Sequence, residues 1–136
     1  MKRLLIALLL CLFFSTGAEA KRVMITASPI GGLDETGATD PESGIPICDY
    51  SHEGYISAFV HVRAGMTVSL MVIVGDQTMS LNSWIFSRET TFNASYVNPR
   101  FTVVGVNDWI LAWTVESGKG KERIIDSIEL ASGTCQ

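Results

Sequence analysis

Met66-Thr67-Val68-Ser69-Leu70-Met71-Val72-Ile73-Val74 is the stretch whose reading decides the fold. Successive side chains on a strand point to opposite faces. Met66, Val68, Leu70, Val72 and Val74 therefore make one wholly apolar face, while Thr67, Ser69, Met71 and Ile73 make a half-polar one. The stretch Trp109–Glu116 repeats the pattern, with Trp109, Leu111, Trp113 and Val115 set against Ile110, Ala112, Thr114 and Glu116. One-sided strands are what two packed antiparallel sheets require.

Working outward, Tyr55–Val62, Met79–Ser87, Phe101–Val106 and Arg123–Leu130 are also rich in β-branched and aromatic residues. Thr90–Tyr96 reads as a more polar strand nearer an edge. Turn residues separate these runs at Ala64-Gly65, Gly75-Asp76, Asn98-Pro99, Asn107-Asp108 and Ser117-Gly118-Lys119-Gly120. Short strands about ten residues apart, with no helical periodicity, predict an all-β sandwich or barrel, and the one-sided strands favour the antiparallel β-sandwich. Ahead of them, Val23–Ala27 is β-prone. Residues 28–49, punctuated by Pro29, Gly31, Gly32, Gly37, Pro41, Gly44 and Pro46, read as a long acidic loop. A single domain over 21–136 is expected, with its sandwich core at 50–136.

The chain has 136 residues, 47% hydrophobic and 18% charged, with a formal net charge of −4. Residues 1–20 have the form of an export signal: Lys2 and Arg3, the apolar run Leu4–Phe14, and Ala18-Glu19-Ala20 as a small-x-small cleavage site. Eleven apolar residues are too few for a membrane span, which needs roughly 20. Cleavage would leave 116 residues from Lys21, with eight basic and thirteen acidic side chains and a net charge of −5. These figures argue against a multidomain enzyme, a membrane span and a basic nucleic-acid binder. They point to a secreted or extracellular domain, periplasmic if the source is bacterial.

Cys11 would leave with the signal, so Cys48 and Cys135 are expected to pair in an oxidising compartment. Asp126 falls with Ile124, Ile128 and Leu130 on one face of its strand, and a carboxylate in apolar surroundings needs a partner. Backbone N–H groups are the first reading and a structural calcium ion the second. Asp34, Glu35, Asp40 and Glu42 could also meet calcium, but without the spacing of an EF-hand. No other cofactor is expected. His52 and His61 lack a third ligand at zinc spacing. No nucleophile–base motif is present. Trp109 and Trp113, interleaved with Leu111 and Val115, read as core, and Trp84 is a further aromatic to weigh. Tyr50, Tyr55 and Tyr96 are the candidates for an exposed platform that stacks on sugar rings. Asn93-Ala94-Ser95 fits the N-glycosylation sequon.

The run Ile124-Ile125-Asp126-Ser127-Ile128-Glu129-Leu130, followed by Gly133-Thr134-Cys135, resembles the end of a MAM domain, an extracellular adhesion module with a jelly-roll fold. Trp84–Val106 is loosely similar too. The same last strand resembles that of galactose-binding-like and carbohydrate-binding jelly rolls. Ser127 stands where the MAM pattern has a second Asp, and two cysteines stand where that family usually has four. What both resemblances imply is a secreted jelly-roll-like sandwich, and the function expected of it is a non-enzymatic recognition or adhesion module that engages an extracellular glycan or protein through loops at one end, with residues 28–49 a candidate lid or contact loop. The alternatives are a structural or envelope subunit that self-assembles through an edge strand and, more remotely, a small secreted hydrolase.

Overall fold

The computed structural model describes residues 25–30, 33–117 and 123–136. The proposed export signal and the Gly118–Gly120 turn lie outside them. Ten strands follow in order: β1 Ile25–Thr26, β2 Asp34–Thr39, β3 Pro46–Ser51, β4 Tyr55–Val62, β5 Thr67–Val74, β6 Gln77–Ile85, β7 Thr90–Val97, β8 Arg100–Val104, β9 Asn107–Ser117 and β10 Arg123–Cys135. There is no helix among the described residues. The strands form three antiparallel sheets, ordered β1-β4-β7, β2-β3-β8 and β10-β9-β5-β6. They pack as the antiparallel β-sandwich that the alternation predicts.

The two three-stranded sheets lie end to end as one bent layer. Ile25 pairs with Val60 and Asp34 with Ser51, rungs of a single antiparallel register, so β1 and β2 are two parts of one strand path along β3–β4. On the other side, Ser51 pairs with Arg100 and Tyr55 with Val97, leaving three residues opposite two. Hydrogen bonds carry the ladder across that step, from the His52 N–H to the Pro99 oxygen at 3.1 Å and from the Asn98 N–H to the Gly54 oxygen at 2.8 Å. Asn98 takes a left-handed φ of 51° and Gly54 a φ of 113°. The Asn98 side-chain oxygen accepts the Gly54 N–H at 2.8 Å, a local bond that helps Asn hold this conformation.

Counted along these continuous paths, strands 1, 2 and 5 face strands 7, 6, 3 and 4. That is an immunoglobulin-like order in which the fourth strand sits beside the third. A jelly roll has eight strands in two Greek keys, so the connections here refine the sandwich type expected from sequence. The core lies between the layers. Ile56, Ala58, Val60, Val62 and Val103 meet Val68, Leu70, Val72, Leu111, Trp113 and Val115 there, all buried. Two aromatic groups fill its ends. Tyr50, Phe101 and Trp109 have ring centroids 4.6–5.2 Å apart. Trp84 packs on Phe92 and Trp113, each at 5.9 Å. Cys48 on β3 and Cys135 on β10 are bonded, tying the two layers together.

Three expectations change. Residues 28–49 are not a loop throughout, because β2 and β3 form a hairpin there. All six residues of β2 are exposed, so β2 leaves no apolar period to read. Its turn is built by Asp40, whose carboxylate accepts the Ser43 hydroxyl at 2.6 Å and the Ser43 N–H at 3.2 Å. The turn expected at Asn107-Asp108 falls instead at Gly105-Val106, where Gly105 has a φ of 91°. Finally, β10 runs on to Cys135, with register breaks between Ile124 and Asp126 and between Glu129 and Ala131.

Candidate functional site

The kink at Gly54 starts β4, and β4 alternates without a break: Ile56, Ala58, Val60 and Val62 point inward, so Tyr55, Ser57, Phe59 and His61 face out. Cross-strand partners on β7 complete the outer face. Tyr55 pairs with Val97, Ser57 with Ser95, Phe59 with Asn93 and His61 with Thr91. Tyr55 is 76% exposed, Phe59 54% and Val97 52%. The two aromatics are four residue steps apart, about 13 Å along the strand. Between and beside them stand the hydroxyls of Ser57 and Ser95 and the amide of Asn93. At the far end His61 is held by both ring nitrogens, with Nδ1 3.1 Å from Thr91 Oγ1 and Nε2 2.9 Å from Glu89 Oε2.

The three tyrosines singled out by sequence do not share this surface. Tyr50 is only 3% exposed and belongs to the core. Burial raises its hydroxyl above the ordinary 10.0, with the Trp109 indole pulling it back and Glu35 adding to the rise. Tyr96 is half-buried and packs against the core from the inner face, opposite buried Ile56. Tyr55 alone faces solvent. Phe59, which is not a tyrosine but shares the outward phase of β4, is its companion, and that strand phase is the sequence signal for it. Asn93 is exposed on the same face, directly across from Phe59.

Asp126 is half-buried rather than sunk among aliphatics. The register break after Ile124 shifts the strand phase and leaves Ile124 exposed. The carboxylate accepts the Ile25 N–H at 3.2 Å and the Ser127 N–H at 2.9 Å, as the hydrogen-bonded reading expects. Among the described residues, no three His, Cys, Asp or Glu side chains are grouped to hold a metal ion. Nor is any described helix long and apolar enough to cross a membrane.

Two grooves open elsewhere. One, of about 510 Å³, lies between the β5–β6 turn and β8 and is lined by Val72, Met79 and Val103 among others. The other, of about 420 Å³, has Tyr50 and Trp109 beside Glu35 and Glu129. Neither includes the Thr91–His61–Glu89 line. That line has the order of a nucleophile, a base and an orienting acid, but it lies on an open strand surface. The His61 and Glu89 side chains are 42% and 64% exposed there.

The chain matches no family model, no curated protein and no solved structure, and nothing in these comparisons identifies a MAM or galactose-binding-like domain.

Proposed function

We propose that this protein is an exported, non-enzymatic recognition module that binds a glycan on the outer face of β4 and β7. The pairing of exposed Tyr55 and Phe59 on one strand face carries this reading. Aromatic faces cover the C–H faces of sugar rings, and hydroxyl and amide groups at their flanks meet the ring hydroxyls. A rigid sandwich presents such a row without having to order it on binding, which lowers the entropic cost of association. The signal-like residues 1–20 and the Cys48–Cys135 bond support an oxidising, extracytoplasmic setting.

The test is a glycan array followed by calorimetry on the strongest binder. Tyr55→Ala and Phe59→Ala should each weaken binding about tenfold or more, equivalent to about 1.4 kcal/mol. Tyr96→Ala, which alters the inner face, should act through stability rather than affinity. Binding that ignores both Tyr55 and Phe59 would exclude this face. Intact mass belongs in the same experiment, because a glycan attached to Asn93 would lie against Phe59. The aromatic row would then serve the protein's own glycan instead of a captured one.

A further inference from the structure

Three turns meet at one end of the sandwich: the β2–β3 turn at residues 40–45, the β5–β6 turn at Gly75-Asp76 and the β8–β9 turn at Gly105-Val106. Hydrogen bonds tie each of the last two to a neighbouring strand end. The Gly105 N–H donates to the Pro46 oxygen at 2.8 Å, and the Gly75 N–H to the Asp108 oxygen at 3.3 Å. Asn107 stands beside both glycines, and its side-chain N–H donates to the Val104 oxygen at 3.0 Å. Apolar side chains are left uncovered on this bonded end. Val106 is 68% exposed and Val104 59%, with Ile45 and Met79 exposed as well. Val104 and Met79 stand on the wall of the groove of about 510 Å³, which buried Val72 and Val103 also line.

The charge around this end has one sign. Residues 36–49, 73–79 and 102–109 hold Asp40, Glu42, Asp49, Asp76 and Asp108, and no lysine or arginine. Asp76 is itself on the groove wall. Arg63 and Arg88 lie in the β4–β5 and β6–β7 connections, at the opposite end of the strands. The chain is thus polarised along its strands, with exposed aliphatic side chains collected inside the acidic half.

We propose that this end docks a segment of a partner protein in which an apolar side chain is flanked by lysine or arginine. Apolar residues gathered within a polar rim mark protein-binding surfaces, and the charge of the rim sets the charge of the partner. A groove of this volume suits a ligand-sized group, so the partner enters it with a side chain of an exposed segment and leaves its cations on the rim. Sugar rings stack on flat aromatic faces, and the exposed aromatics Tyr55 and Phe59 lie elsewhere, on the outer face of β4. An anionic membrane surface repels an acidic rim. The hydrogen-bonded turns present the surface ready-formed, which lowers the ordering cost of association. This surface shares no residue with the proposed glycan face and stands apart from it.

Fluorescence anisotropy with short labelled peptides on the disulfide-bonded chain tests the docking end. One set places leucine or valine between Lys or Arg residues, a second gives the same centre Glu flanks, and a third keeps the basic flanks around serine. The first set should bind at least about tenfold tighter than either control, and more weakly as salt is raised. Met79→Gln combined with Val104→Thr should weaken that binding about tenfold at an unchanged melting temperature. Glu42→Lys combined with Asp76→Lys should turn the preference towards the Glu-flanked set. Backbone amide NMR shifts of the unmodified chain give a readout independent of any variant, and those caused by the first set should fall at residues 40–46, 75–79 and 102–107. Equal affinity for the three sets, shifts that map elsewhere, or no binding at roughly 1 mM peptide overturns the proposal. Sedimentation of the chain alone tests the remaining occupant. Self-association that Arg63→Glu and Arg88→Glu abolish would make the opposite end of a second copy the occupant, and would overturn the partner segment.

Discussion

The Tyr50 hydroxyl sits 3.5 Å from the Thr134 carbonyl oxygen, with its ring against Phe101 and Trp109. Burial in that place disfavours a phenolate, so the folded protein holds the proton more tightly than the ordinary value of 10.0 implies. The sign of the stability effect follows directly. Below about pH 10 both states keep the proton, and Tyr50 adds no pH dependence. Above it the unfolded chain ionises first, so stability falls as pH rises towards the folded pKa. Urea titrations of the wild type and Tyr50→Phe between roughly pH 8 and 11 should therefore converge as pH increases, the wild type losing stability faster. Curves that stay parallel would mean that the hydroxyl keeps access to water. Gly133 belongs to the same neighbourhood. A Cβ there would stand 2.8 Å from Cζ2 of Trp109, so the absence of a side chain is what lets the indole lie across β10.

At the level of single elements, β4 shows what strand phase can reveal and β10 shows where it fails. The bounds Tyr55–Val62 agree in sequence and structure, and the outward position of Phe59 was already written in the alternation. Choosing candidates by residue type instead of by phase brought in Tyr50, which sits two residues beyond buried Cys48 on the same inner face of β3. β2 was illegible for a physical reason. An edge strand that buries nothing is under no pressure to alternate. In β10 the register breaks reset the phase, so counting by twos from Leu130 assigns Ile124 to the wrong side. Layer order was out of reach as well, because strand lists do not say which strands pair across long separations. Asp126 is best judged here, since it links two elements distant in sequence by accepting the Ile25 N–H. Replacing it with alanine should cost about 1.5–3 kcal/mol, the range for a hydrogen bond to a charged group. It should also speed amide exchange at Ile25, with Asp126→Asn falling between. A chelator that lowers the melting temperature of the unmodified chain would instead restore the calcium reading.

Across the whole molecule, the Cys48–Cys135 bond does what the sheet hydrogen bonds do not. Among the described residues no ladder joins the two layers, which meet through packed side chains and bonds at their margin, such as that from the Ile30 N–H to the Leu130 oxygen. The bond spans 87 residues, nearly the whole described sandwich, and joins β3 in one layer to the last residue of β10 in the other. Closing so long a loop removes unfolded-state entropy equivalent to about 4–5 kcal/mol. A domain of this size typically has a net stability of about 5–15 kcal/mol, so the bridge is equivalent to roughly a quarter of it or more. Cys48→Ala combined with Cys135→Ala should lower the urea midpoint by that amount of free energy. The slope of the transition should rise, because an uncrosslinked unfolded chain exposes more surface. The first amides to lose protection should be those at the end of β10 from Gly133 to Cys135, where β9 is the sole strand partner. A double variant as stable as the bridged chain would show that interlayer packing suffices. The tie between the layers would then owe its place to something other than equilibrium stability.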